Sequence, residues 1–390
     1  MIVIVHVPVR TADHPLRLAQ VISSVSMPRL APLCILTLTA ALLGMAIDSE
    51  AATRKKSIWG PATVAGASQF PIYADLGVGL WQANLAWKQV ATRRPEHPTD
   101  PDDPAYAWPP ELDAAIADAG RHGIEVSLLV MRTPSWANGG RPARWAPTSS
   151  LDYSRFMTAA SRRYPTVRHW MIWSEPTKAS NFQPLRADHG RRLRGKGLRG
   201  PRKYARMLDA AYVALKRVRR SNLVIGGNTF TVGTVRPRRW IQALRLPSGR
   251  PPRMDLWGHN PFSARRPVLS QRPLGRGFAD FGDLDTLAHW LDRNLAGAKP
   301  GGGRLKLFLS EISFPTDHAN FEFNFWVSRQ KQAEWIADAL GEARSWSRIY
   351  TFGYLGLYDD ALRPDGQQVE RGLLERDGTP KPAYGAFKRG

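Results

Sequence analysis

The 390-residue chain contains one cysteine, Cys34. That excludes a disulfide scaffold, a cysteine-based zinc site and a cysteine nucleophile anywhere downstream of it. Acidic residues are scarce beside basic ones: 33 Asp and Glu stand against 55 Lys and Arg, a formal charge of +22. The excess favours anionic neighbours (nucleic acid, acidic polysaccharide, wall polymers or lipid headgroups) and by itself names none of them. Arg-rich usage is also what a GC-rich coding sequence produces. No glycine-rich phosphate turn follows the first apolar run, which counts against a doubly wound nucleotide-binding sheet. Gly190 to Gly197 brushes a phosphate-loop pattern, but it lacks the Ser or Thr that would hold magnesium.

Long hydrophobic runs are equally scarce. Residues 30–47 (LAPLCILTLTAALLGMAI) form the one run of spanning length, preceded by Arg29 and followed by the small residues Ser49 and Ala51. A basic start, an apolar centre and small residues behind it fit a secretory signal. Residues 1–51 are therefore expected to be an N-terminal extension and signal peptide, with Met27 as an alternative start. The expected product is secreted, and no membrane contact is expected after cleavage. The alternative is a membrane anchor formed by the same segment uncleaved.

What is present is a rhythm of short apolar runs and longer amphipathic stretches. Apolar runs occupy 78–87, 124–131, 169–173, 223–227, 254–259, 305–309 and 349–357, with Ile58 and Trp59 opening the series. Helical stretches at 113–122, 153–164, 204–218, 284–296 and 330–346 separate several of them. Continuously apolar strands alternating with helices imply parallel pairing. About eight such units predict an α/β fold, a closed (β/α)8 barrel, as a single domain over 57–390. Residues 186–206 stand apart, with nine Arg or Lys and one Asp. They are read as a mobile basic loop.

In a parallel barrel, chemistry sits at the C-terminal strand ends. The fourth run ends Trp-Ser-Glu175-Pro and the seventh ends Leu-Ser-Glu311-Ile. A lone strand-end glutamate is ordinarily a cap or an ion pair. Two on opposite sides of one rim suit glycoside cleavage, where one carboxyl protonates the leaving oxygen and the other attacks the anomeric carbon or activates water. Their pKa values must then differ, and Trp173 with its apolar neighbours is expected to raise Glu175. Trp81, Trp136, Trp173, Trp257, Phe314 and Tyr354 lie at or near strand ends, where aromatic faces suit pyranose rings; packing is the alternative for each. Asn84, Asn228, His259 and Asn260 are candidates for hydroxyl hydrogen bonds.

Five segments share a likeness. Trp-Met-Ile-Trp173-Ser174-Glu175-Pro and Leu-Phe-Leu-Ser-Glu311-Ile-Ser-Phe-Pro-Thr are two of them. Thr133-Pro-Ser-Trp136-Ala, Asp255-Leu-Trp-Gly-His259-Asn-Pro-Phe262 and Gly372-Leu-Leu-Glu-Arg-Asp-Gly-Thr-Pro-Lys381-Pro-Ala-Tyr384 complete the set. In this order they resemble the strand-end motifs of the clan A glycoside hydrolases, closest to bacterial cellulase-like and family-39-like members, from about residue 57 to 387. The resemblance implies a retaining enzyme with Glu175 as acid/base and Glu311 as nucleophile. It needs no metal and no organic cofactor. With the strand-end residues above, the expected substrate contacts are Ser174, His259, Trp136, Gln82, Trp173, Asn228 and Tyr354. Four positions depart from the family pattern. Ser174 stands where the clan usually has Asn, Gln82 where it often has Arg, and Phe262 where Tyr is common. The eighth strand lacks the usual Trp.

The expected function is thus a secreted retaining glycosidase of a polysaccharide or glycoconjugate, with the 186–206 loop favouring an anionic glycan or cell-wall polymer. The alternative is a carbohydrate-binding barrel, catalytically weak or inactive. A nucleic-acid role is not expected, since no such motif accompanies the charge.

Overall fold

The structure, a computed structural model, describes residues 56–390 apart from Phe321 and Asn324. The segment 1–51 lies outside the described residues. Eight parallel strands close into a barrel: β1 (Lys56–Trp59), β2 (Leu80–Ala86), β3 (Glu125–Met131), β4 (His169–Ile172), β5 (Leu223–Phe230), β6 (Leu256–Asn260), β7 (Lys306–Ile312) and β8 (Ile349–Leu355). Each pairs with its sequence neighbour, and β8 closes on β1 with Ile58 opposite Tyr354. The strands fall where the apolar runs lie, because a wall packed on both faces needs apolar side chains at successive positions. In β3 every residue from Val126 to Met131 is buried.

Helices cover the wall: α1 (Phe70–Asp75), α2 (Pro110–Arg121), α3 (Ser150–Arg163), α4 (Arg199–Val218), α5 (Pro237–Ala243), α6 (Leu284–Asn294), α7 (Arg329–Ser345) and α8 (Pro382–Arg389). Their ends follow local chemistry. The Ser149 hydroxyl accepts from Leu151 N at the start of α3, and Ser328 does the same for Lys331 N at α7. Pro110 opens α2, with Glu111 and Asp113 in its first turn and Arg121 in its last, as the helix dipole favours. Among the described residues no helix is long and apolar enough to cross a membrane.

Helix tyrosines tie down the strand ends that matter later. Tyr153 of α3 donates to Val130 O at 2.8 Å. Tyr204 of α4 donates to Ile172 O at 2.7 Å and accepts from Gly227 N at 2.9 Å. Val130 O also accepts from Trp173 N at 3.1 Å, so Tyr153 adds a second bond there, while Tyr204 ties the end of β4 to Gly227 of β5 from the helix side.

The basic stretch differs from expectation. Residues 199–206 are not loop but the first two turns of α4, with Pro201 in the first turn, where a missing N–H costs nothing. The preceding loop is pinned, because buried Asp188 accepts from Gly190 N and Arg236 N, each at 2.7 Å.

Candidate active site

Glu175 follows β4 in a turn of unusual geometry. Trp173 and Glu175 have φ of +67° and +41°, a region that costs a side-chain-bearing residue energy and is held only by its surroundings. Asn228 is one such constraint. Its Nδ2 donates to Trp173 O at 2.7 Å, and a Cβ on Gly258 of β6 would sit 1.7 Å from its Oδ1. The chain then turns back on itself: Lys178 N donates to Glu175 O, and Asn181 N to Lys178 O. Both side chains are thereby folded onto the carboxylate, with Lys178 Nζ and Asn181 Nδ2 at 2.8 and 3.1 Å from Glu175 Oε2.

Glu311 is placed by a break in β7. Phe352 pairs with Leu309 and Tyr354 with Ile312, so β7 spends three steps where β8 spends two. Such a bulge re-aims side chains. Ser310 turns inward, its hydroxyl donating to Gln82 Oε1 at 3.0 Å, and Glu311 also faces the barrel axis. Beneath it, Gln82 Nε2 donates to Ser310 O and Ser57 Oγ, and Trp59 Nε1 donates to Ser310 O at 3.1 Å. Gly353 of β8 leaves room for this layer, since a Cβ there would meet Gln82 Nε2 at 2.7 Å.

The two carboxyls converge. Asn260, at the end of β6, donates to Glu175 Oε1 at 3.2 Å and also hydrogen-bonds Glu311. Burial first, and then the facing Glu175 charge, push the Glu311 carboxyl up to about 8; Lys178, Arg371 and the Asn260 bond oppose the shift. The group that burial raises is Glu311, which the sequence did not single out for this. The Trp173 ring points away from the pair, with Nε1 on Asn181 O and its face edge-on to Phe182.

The remaining candidates divide. Ser174 sits half-buried between the two strained residues. His259 is fully buried with both nitrogens engaged, Nδ1 to Thr229 Oγ1 at 2.8 Å and Nε2 to Ala279 O at 2.9 Å. It faces the helices because strand alternation sends its neighbour Asn260 inward. Burial lowers its pKa to about 4. Tyr354 is also fully buried, donating to Arg371 O at 2.8 Å. Trp136 donates to Ala91 O, and the Arg94 guanidinium lies 4.7 Å over its ring. Gln82 and Asn228 are buried brackets of Ser310 and Trp173 rather than sugar contacts. Trp81, Trp257 and Phe314 are core residues as well.

Aromatic surface near the pair comes instead from phenylalanines at the ends of β5 and β6 and in the segment between β7 and α7. Phe230, Phe262 and Phe323 follow one another with ring centroids 5.8 and 5.6 Å apart. Lys178 Nζ lies 4.3 Å over Phe230, and Arg371 lies over Phe323 while pairing with Glu322 and Asp360. Lys178, Asn181, Trp59 and Arg371 were missed because nothing in their spacing sets them apart. A cavity of about 900 Å³ lies elsewhere, between β2 and α2, lined largely by apolar side chains. Among the described residues no cluster of His, Cys, Asp and Glu is fit to hold a metal ion.

No family model and no curated protein matches the chain. Solved structures do. One is a family 39 glycoside hydrolase from Bacteroides cellulosilyticus WH2, with 17% identity and a TM-score of 0.63, covering 87% of this chain and 64% of that one. A glucosidase from Croceicoccus marinus has 15% identity and a TM-score of 0.59, covering 86% and 66%. A monomeric β-xylosidase from Caulobacter crescentus CB15 has 16% identity and a TM-score of 0.57, covering 86% and 67%. The chain therefore spans about two thirds of these neighbours' length. What it shares with them is the expected (β/α)8 fold.

Proposed function

We propose that this chain is a glycoside hydrolase that cleaves O-glycosidic bonds of a polysaccharide or glycoconjugate by double displacement. The observation that carries the reading is the convergence of Glu175 and Glu311, from opposite sides of the barrel mouth, on Asn260. Glu175 is buried and Glu311 half-buried, and desolvation together with the facing Glu175 charge holds a proton on Glu311 near neutrality, which the pair shares in the proposed reaction. In the proposed reaction Glu175 gives its proton to the glycosidic oxygen. The bond to the leaving group breaks as a Glu311 oxygen bonds to the anomeric carbon. Positive charge developing on that carbon favours an ionised Glu311, which moves the shared proton to Glu175 as the reaction needs. Water then attacks the anomeric carbon, Glu175 takes the water's proton, and the bond from that carbon to Glu311 breaks so that Glu311 leaves as carboxylate. The phenylalanine row supplies an apolar wall for a sugar ring. The proposed setting is outside the cytoplasm, on the strength of the apolar run at 30–47.

A 2-deoxy-2-fluoroglycoside with an activated leaving group tests this. It is expected to esterify Glu311, and Glu311→Ala to abolish hydrolysis while sparing binding. Labelling of Glu175 reverses the roles, and the absence of both label and product across a glycan panel overturns the reading.

One observation favours a second reading, a sugar-binding barrel without turnover. Lys178 and Asn181 take one oxygen of Glu175 and Asn260 the other, so the carboxylate is fully engaged in the free protein. On the hydrolase reading, Lys178→Met removes the ion pair on Oε2, keeps the Asn181 bond there and leaves hydrolysis measurable. On the binding reading it leaves the protein inert.

A further inference from the structure

The basic stretch after β4 is not used by the carboxylate chemistry. Its one acidic residue, Asp188, is spent on the backbone amides of Gly190 and Arg236. The cations are left facing outward. Arg199, Arg202, Lys203 and Arg206 are spaced three and four apart, which puts them on one face of α4. With Arg141 they line a pocket of about 380 Å³. Its far wall is the 138–148 loop after β3, where the Arg141 guanidinium lies 4.5 Å over the Trp145 ring. No carboxylate lines this pocket, and among the described residues none forms an ion pair with any of these five cations. Burial and the guanidiniums of Arg206 and Arg141 hold the Lys203 ammonium below lysine's ordinary range. Like charges crowded in this way are a standing electrostatic cost that an anion from outside relieves.

The pocket continues. A second hollow of about 540 Å³ shares Leu198 and Arg202 with the first and adds Arg192, Arg239 and Arg245. A third of about 270 Å³ shares Gln242 and Asn294 with the second and adds Arg238, Arg293 and His289. Neither Asp nor Glu lines any of the three. They form one cationic band running from the β3 loop across α4 to α5 and α6.

We propose that this band binds an acidic polysaccharide, one carrying carboxylate or sulfate groups, and leads it to the carboxylate pair. The inference rests on the hydrolase reading for the identity of the polymer, and the band begins on the same loop as Glu175. Asn181 holds Glu175, Gln183 N donates to Arg144 O at 2.8 Å, and Pro184 lines the first pocket. The loop is seated rigidly against α4, because a Cβ on Gly200 would lie 2.3 Å from Pro184 O. A groove divided into hollows between helices suits a single chain with pendant charged groups.

Binding of the full chain to immobilised polygalacturonate, dextran sulfate and neutral dextran tests the band. Retention is expected on the two acidic polymers and not on dextran. The affinity is expected to fall at least about tenfold between about 50 and 300 mM NaCl, as screening and counterion release require. The triple variant R199Q/R202Q/R206Q keeps good helix formers and touches neither glutamate. It is expected to weaken retention at least about tenfold with an unchanged melting temperature. Absence of retention on both acidic polymers overturns the proposal, and so does retention that the triple variant leaves intact. Tighter retention on single-stranded DNA or on phosphatidylglycerol vesicles overturns the assignment to polysaccharide. Retention is read without turnover, in wild type and in Glu311→Gln. Failure of the hydrolase reading therefore shows as binding without product, and failure of this inference as product from a neutral glycan without binding to either acidic polymer.

Discussion

Replacing Glu311 by glutamine removes a carboxyl that burial and the facing Glu175 push up to about 8, from an ordinary value of 4.5 in the unfolded chain. Between those two pH values the folded protein binds the extra proton and the unfolded chain does not. Stability therefore falls as pH rises through that window and is flat on either side of it. At about 1.4 kcal/mol per pKa unit, the span from 4.5 to about 8 amounts to at most about 5 kcal/mol. Glutamine keeps the shape and never ionises. The stability of Glu311→Gln relative to wild type should thus climb between pH 5 and 8 by several kcal/mol, to a ceiling of about 5. Urea unfolding of both proteins at unit pH steps measures this. Other groups that titrate in the same range, Asp283 among them, are present in both proteins and cancel in the difference. Glu175→Gln should narrow the window and reduce the total climb without abolishing it, since burial is the larger cause. Parallel wild-type and Glu311→Gln curves across this range would show that Glu311 is not held protonated and that the two carboxyls do not share a site.

Four further outcomes follow from the packing. Gly258→Ala drives a Cβ into Asn228, so it should cost about 1–3 kcal/mol or more in urea unfolding and lower turnover by releasing the Trp173–Glu175 turn. Asn260→Ala should cut kcat at least about tenfold with a shifted pH profile, because Asn260 bridges the carboxyls. His259→Gln, which faces the helices, should instead lower the melting temperature and leave the pH profile in place. Lys381→Met strands buried Asp359 without its ammonium partner at 3.0 Å and should destabilise by about 3–5 kcal/mol, with Asp359→Asn in the same chain restoring part of the loss by urea unfolding.

The barrel was legible because its wall is packed on both faces, so apolar runs mark strands without any knowledge of direction. The carboxyls were legible for a related reason: a strand end is a topological address. Direction was not legible. Alternation decides that His259 turns outward and Asn260 inward, and Gly258, facing in where only Asn228 fits, fixes the phase. At Ser310 and Glu311 the alternation fails, because the β7 bulge brings consecutive residues to one side. The aromatic residues misled for the same cause. Trp173 and Tyr354 stand beside the chemistry in sequence but enter helix-facing packing, Trp173 among Phe182, Tyr204 and Trp240. Phe230, Phe262 and Phe323, less conspicuous in the sequence, stand in a row near the pair. Lys178 and Asn181 were beyond reach for another reason. Their return to Glu175 depends on left-handed backbone at Trp173 and Glu175, and no side chain there announces it. That conformation is held from outside, by Asn228 on the Trp173 carbonyl and by Tyr204 on Ile172, and both brackets come from parts of the chain distant in sequence. The site is therefore specified jointly by strands around most of the barrel and by α4. A reading that treats each strand end separately finds the two acids and misses the brackets and counter-charges around them.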